Sequence, residues 1–494
     1  MKTKTLLIVL FTLISMTAFA QEELPDQEIE DVIENQINYD HAINTNNLNI
    51  NSVDGIVELS GWVTNIKAKE RAADIAALVK GVRSVSNRIE VKTREDISDK
   101  DIKTDIMASL LSNPATESYK VDLDVSNGIV ELTGTVDSYR EKQLCENVAK
   151  SVDGVKKLEN NIDIEYDVVR RDTEIKYEIE QALKWSTLVD DALIEVEVND
   201  GIVELSGSVA SLSEKNQANF LALTTGVKEV KTEDLDVEWW LPTNKLVRDK
   251  DLFASDEESA KAIFDAISID PRIYATDIEV EVGEGIATLR GTVENMQAKQ
   301  AAENIARNTM GVKSVNNRIK VYTEFPPKDD EIRENVLQAL ARNSITESYQ
   351  IVVDVNAGIV TLTGVVDSHL EKLEAENTAG KIKGVTQVNN NLHVEKPYSY
   401  YFWDELPFYD WYFVPDISSR IISISTIDDE EIKRNVQNEL LWSPFIDQEN
   451  INVSVNNGKV TLTGTVPTHR AYNKATQNAY EGGAWHVENN ILVK

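Results

Sequence analysis

Few of the side chains in this 494-residue sequence could do chemistry, and their spacing assembles none of the usual reactive sets. The five histidines (His41, His369, His393, His469, His486) are scattered, with no two at metal-ligand spacing on a helix. Cys145 is the only cysteine, so an intrachain disulfide is excluded. The run Asp122-x-Asp124-x-x-Asn127-Gly128 superficially looks like a calcium loop, but its spacing is wrong and Leu123 and Val125 are core positions. Gly283-Glu284-Gly285 begins like a dinucleotide-binding loop, yet the third glycine is missing and the stretch falls in a β-hairpin. No G-x-S-x-G elbow occurs, and paired carboxylates identify nothing in so acidic a chain. The expectation is a protein with no catalytic residues, no metal and no cofactor.

Aromatic side chains offer the better candidate for binding. The chain has 8 Trp, 15 Tyr and 10 Phe, and ten of these rings crowd between Pro397 and Pro415. That stretch contains Tyr400, Tyr401, Phe402, Trp403, Phe408, Tyr409, Trp411, Tyr412 and Phe413. A smaller echo, Trp239-Trp240, precedes Leu241-Pro242. Trp and Tyr suit protein and membrane interfaces alike, because one end of the ring is apolar and the other can stay wet. The same rings could instead bury themselves against the flanking domains. Asp404, Glu405 and Asp410 beside them disfavour anionic lipid but not zwitterionic headgroups.

The formal net charge is −34, which opposes nucleic acid and bare anionic lipid and favours solubility. The first twenty residues read as a secretory signal. Lys2 and Lys4 supply the positive start, Leu6 to Ile14 the apolar run, and Ala18-Phe19-Ala20 a cleavage site before Gln21. No later segment is apolar over the ~20 residues a bilayer span requires. A soluble periplasmic or secreted protein is expected, with its oligomeric state left open.

The elements that would position any site are written six times. Two glycines six residues apart, with apolar residues alternating between them, recur as Gly55/Gly61, Gly128/Gly134, Gly201/Gly207, Gly285/Gly291, Gly358/Gly364 and Gly458/Gly464. Such alternation marks a strand, and the residue pair ending on the first glycine marks a two-residue hairpin turn. Before it lies a helical stripe, Ile102/Ile106/Leu110 in the second repeat, with Ser98 and Asp99 as start signals. The stripe returns as Ile29/Ile33/Ile37, Ile175/Ile179/Leu183, Ile332/Val336/Leu340 and Ile432/Val436/Leu440, and more weakly as Ile263, Phe264 and Ile267. After the second glycine comes another helix, whose apolar face in repeat two is Leu144, Cys145, Val148 and Val152. A Gly-Val turn and a closing strand complete the unit.

The second glycine falls on the inward face of its strand, which predicts a close approach there, with the following helix as the visitor. In register with it, Cys145 lines up with Ala72, Ala218, Ala302, Ala375 and Ala475, so a small side chain is expected to pack over that glycine. The unit reads as α-β-β-α-β, a three-stranded sheet with both helices on one face, in the α+β class. Expected boundaries are 26–93, 99–166, 171–238, 256–323, 328–396 and 428–494, with a linker at 239–255 and the aromatic insert at 397–427. Second glycines lie 73, 73, 84, 73 and 100 residues apart, and Thr116-Glu117-Ser118-Tyr119 returns 230 residues later as Thr346-Glu347-Ser348-Tyr349. This is the signature of a duplicated triplet.

On its G-x-V-x-L-x-G core, following helix, Gly-Val turn and closing strand with Asn pairs, the unit resembles the BON domain, the bacterial OsmY and nodulation module. That resemblance implies a secreted envelope protein of osmotic stress without catalytic residues. It also implies partners among phospholipid surfaces or outer-membrane proteins, while the net charge already sets nucleic acid aside. The expected function is multivalent binding of hydrophobic or membrane-proximal partners, the alternative being a purely structural spacer.

Overall fold

The computed structural model describes residues 24–493 except 39, 41–42, 44–46, 94–96, 114, 117–119, 167–169, 242–253, 271, 274–277, 324, 347–349, 395–427 and 447. The signal segment with its Ala20-Gln21 junction and the whole aromatic insert therefore lie outside the described residues.

Repeat two shows how the pattern becomes a fold. Its leading helix, Asp99–Ser112, starts where Ser98 caps it, the Ser98 hydroxyl accepting the Asp101 N–H at 3.2 Å. Ile102, Ile106 and Leu110 recur every fourth residue and are buried. The hairpin strands Lys120–Ser126 and Ile129–Val136 pair antiparallel, with Val125 opposite Val130. A second helix, Tyr139–Lys150, carries the chain back so that the closing strand Lys157–Ile164 pairs parallel to the returning strand. The returning strand is therefore central in a three-stranded sheet. Val130, Leu132 and Val136 face inward, while Ile129, Glu131 and Thr133 are exposed. Both helices cover that one inner face, because Ile106, Leu110, Cys145, Val148 and Ala149 form a single core with the inward strand residues. Each large side chain so buried contributes about 1.5–3 kcal/mol.

The same topology recurs in all six repeats, with local breaks. Repeat three carries an extra residue, and its closing strand is split into Glu229–Lys231 and Leu235–Val237, both on the returning strand.

The second glycines correct an expectation in five of the repeats. The visitor there is the neighbouring strand, not the helix: a Cβ on Gly134 would sit 2.1 Å from the Lys120 carbonyl oxygen, and φ there is +124°. At Gly61, Gly207, Gly364 and Gly464 the same Cβ would meet the carbonyl oxygens of Asn47, Leu193, Gln350 and Asn450 at 1.8, 2.0, 2.0 and 2.0 Å. Gly291 shares the conformation, with φ at +123°. Nor are these glycines enclosed by the core. Gly207 is exposed, and Gly61, Gly134, Gly291, Gly364 and Gly464 are half-buried. Positive φ turns the missing Cβ toward the first hairpin strand, so strict alternation of faces breaks at this residue.

Helix positions need correction too. Cys145 is wholly enclosed in the core of its repeat, a setting that admits only a small side chain. In repeat four Phe264 is exposed; Ser259 takes the first stripe position and donates to the Met310 carbonyl at 2.9 Å. In repeat two the helix face uses Ala149, with Leu144 only half-buried.

The first residue of each second helix touches the next repeat, and these contacts close rings. Ile66 of repeat one enters the core of repeat two. Tyr139 of repeat two donates its hydroxyl to the Lys228 carbonyl of repeat three. Leu212 of repeat three belongs to the core that repeats one and three share. In the second triplet Met296 lies against Gly380 of repeat five, and His369 stacks on Tyr480 of repeat six at 3.7 Å. His469 of repeat six then meets the Lys313 carbonyl of repeat four at 2.8 Å. The order is one-two-three-one and four-five-six-four.

The two rings meet face to face at three junctions, each made by the same backbone bond. The N–H before the Gly-Val turn donates to the last carbonyl of a leading helix in the other ring. The bonds are Lys80 to Trp442, Asp153 to Arg342 and Met310 to Trp185, at 3.1, 2.9 and 2.9 Å. They join repeats one to six, two to five and four to three, as a two-fold axis between the triplets requires. A second bond, Ser344 to Ser151 or Thr187 to Asn308, accompanies two of them at 2.9 Å. At the third junction Pro444 stands in its place and has no N–H to donate.

Candidate functional site

No reactive set is assembled among the described residues. No group of three or more His, Cys, Asp or Glu side chains could hold a metal ion there. The calcium-like run is a hairpin whose turn donors are already taken: the N–H groups of Asn127 and Gly128 both bond the Asp99 carboxylate at 2.8 Å. Gly283-Glu284-Gly285 is likewise a hairpin turn. Burial pushes the Cys145 thiol up to about 12, so it stays protonated and inert. His369 is pulled down to about 4, by burial first and then by Lys372 and His486, and it serves as a neutral stacking ring between repeats five and six.

The carboxylate clamp on the turn is a device the pattern reading missed. Asp26, Asp99, Asp172, Asp256, Asp329 and Asp429 each open a leading helix and accept both hairpin-turn N–H groups of their own repeat. Each lies 29 residues before its first glycine, so the signal was present in the sequence. The clamp holds turns in which both residues have positive φ, including non-glycine residues such as Ala357 at +51°. It ties each hairpin tip to a helix N-terminus, where a negative charge is favourable.

Asparagines of the closing strand do a matching task. Asn87, Asn160, Asn317, Asn390 and Asn489 donate to carbonyls of their own second helix at 2.7–3.1 Å. Their side-chain oxygens receive the N–H two residues on, at 3.0–3.4 Å. These Asn positions, named above only as a pattern, are staples between sheet and helix.

Of the aromatic candidates, only Trp239 and Trp240 fall among the described residues. They follow the closing strand of repeat three and meet edge to face, centroids 6.2 Å apart. Trp239 is half-buried and Trp240 is 48% exposed. Other exposed apolar groups stand at the hairpin tips, namely Val53, Ile56, Ile129 and Ile286. No described helix is long and apolar enough to cross a membrane.

Six copies of one αββαβ unit, each held by a clamp and five of them by a staple, and lacking an assembled reactive set among the described residues, define a tandem-repeat protein of the α+β class. The BON domain profile matches residues 25–93, 98–166, 171–238, 255–322, 328–396 and 428–494, and the chain belongs to that family. Osmotically-inducible protein Y of Escherichia coli (strain K12) is 32% identical over 126 residues, which span 24% of this chain and 63% of that protein. Two solved structures of CdsD, a structural protein of the type III secretion system of Chlamydia trachomatis, match at 16% and 17% identity. They cover 41% and 46% of this chain and 90% and 100% of their own, but TM-scores of 0.12 and 0.13 carry no argument.

Proposed function

We propose that this is a non-enzymatic envelope-stress protein, exported by its N-terminal signal, that binds phospholipid surfaces or outer-membrane protein clients multivalently. The observation that carries the reading is six BON domains in one chain, beside the likeness to an osmotically inducible protein. Weak sites fixed to one body act together because their effective concentration is high. Exposed apolar groups repeated at the hairpin tips, with Trp240, supply candidate contacts. The rings of the 397–415 segment are the strongest additional candidates on composition. Ring closure and the contacts between rings speak against a spacer whose task is to span distance.

The test uses the full mature chain with zwitterionic vesicles and, separately, an unfolded outer-membrane barrel protein. Co-sedimentation or suppressed aggregation that weakens at least about tenfold in a Trp240→Ala/Trp403→Ala/Trp411→Ala variant supports the reading. Absence of both activities in the unaltered protein sinks it.

A further inference from the structure

The middle junction, between repeats two and five, holds a half-open cavity of about 40 Å³. A buried water needs about 10–15 Å³, so the space holds two or three water-sized bodies. Its twelve lining residues form six pairs separated by 230 positions, so the cavity straddles the local two-fold axis. The pairs that matter are Ser112 with Arg342, Ser151 with Lys381, and Asn113 with Asn343. Repeat five thus brings two cations to the axis where repeat two brings two small hydroxyl side chains. Those hydroxyls are turned to their own helices, Ser112 to the Ser109 carbonyl at 3.3 Å and Ser151 to the Val148 carbonyl at 2.7 Å. They supply space, not charge.

The two asparagines show what the cavity lacks. The Asn343 amide donates to Glu374 at 2.9 Å and to the Thr378 hydroxyl at 3.0 Å. Leu144 and Val148 stand at the corresponding positions of repeat two, and neither can accept a hydrogen bond. The Asn113 amide nitrogen is accordingly left with no partner among the described residues, although Asn113 is only 3% exposed. The Arg342 Nε is likewise buried and unpartnered. A buried unmatched donor costs about 1–3 kcal/mol, so a native structure that keeps one calls for an acceptor. No carboxylate lines the cavity, and among the described residues neither Arg342 nor Lys381 has an ion pair. Asp105 is the acidic group whose charge reaches Arg342.

We infer that this cavity is a binding site for a small inorganic monovalent anion, chloride in size and charge, held by Arg342, Lys381 and the amide of Asn113. The cavity is too small for a phosphorylated organic ligand, and a neutral water would leave the two cations that repeat five brings to it with no counter-charge among the lining residues. Because the anion touches both triplets, its binding strengthens their docking.

Thermal unfolding of the full mature chain at constant ionic strength and pH 7, in sodium chloride against sodium gluconate, tests the inference. The midpoint should rise by at least about 2 °C in chloride and saturate with concentration. An Arg342→Ser/Lys381→Ser variant, which gives repeat five the side chains of repeat two, should lose that response. Ser112→Glu should supply a tethered carboxylate, raising the midpoint in gluconate and removing the chloride dependence. Crystals grown in bromide should show an anomalous peak between Arg342 and Lys381. An equal chloride response in the unaltered protein and either variant would overturn the inference. So would a bromide crystal with only water in the cavity.

Discussion

The outer junction between repeats one and six and the middle junction between two and five share one backbone bond yet solve burial in opposite ways. At the outer junction the position of Arg342 and Ser112 is held by Trp442, which packs against the core of repeats one and three. Where the middle junction is hollow and cationic, the outer one is crowded with paired charges. Lys474 and Glu481, 7% and 5% exposed, lie 3.3 Å apart. Arg71 bridges Asp40 at 2.7 Å and Glu481 at 3.1 Å. Gln36 donates to Glu439 at 2.6 Å.

Burial would raise the Glu481 carboxyl, but Lys474 and Arg71 more than offset it and hold it below the ordinary value. Glu439 has no such surplus of cations. Burial, and then repulsion from Glu481, pushes it up to about 8. The same junction bond thus accepts either a hollow with unmatched donors or a buried ionic network, because a main-chain bond does not depend on the side chains around it.

The sharpest way to break the outer junction is Lys474→Met, which leaves Glu481 and Glu439 short of positive charge. A loss of about 3–5 kcal/mol is expected, read as a lower denaturant midpoint. Trp442→Ala should cost about 2–3 kcal/mol by opening a hollow like that of the middle junction. If it costs nothing, the ring does not fill that space.

Glu439→Gln should act only through pH. The folded carboxyl titrates near 8 and the unfolded one near 4.5, so between those values the folded state keeps a proton that the unfolded state sheds. Stability therefore falls as pH rises through that window. The variant should be more stable by about 2–4 kcal/mol above pH 8 and unchanged below pH 4.5. A pH-independent gain would contradict this assignment. Arg342→Ser, in buffer free of halide, should shift stability by less than about 1 kcal/mol, since the side chain is half-buried and has no ion pair among the described residues to lose.

Legibility differed by the range of the interaction. The hairpin Asn127-Gly128, the stripe Ile102/Ile106/Leu110 and the Ser98 cap could be read because turns, strands and helices bury apolar residues with fixed short periods. The Asp99 clamp was readable in principle, as a constant 29-residue spacing, but a lone acid in a chain with 84 acidic residues gives no contrast. The second glycine is legible as a close approach but its visitor is not, at Gly61, Gly134, Gly207, Gly364 and Gly464. Alternation along one strand reports which face a residue should occupy and is silent about the backbone path of the strand beside it.

The six αββαβ units, their triplet history and their membership in one family were determined by the sequence alone, because local periodicity and turn stereochemistry act within about 70 residues. That the triplets close into rings, and that the rings dock at Lys80 and Trp442, Asp153 and Arg342, and Met310 and Trp185, was decided only in the tertiary structure. Those contacts join backbone groups more than a hundred residues apart. A main-chain N–H is the same in every residue but proline, so no pattern of side chains announces where it will bond.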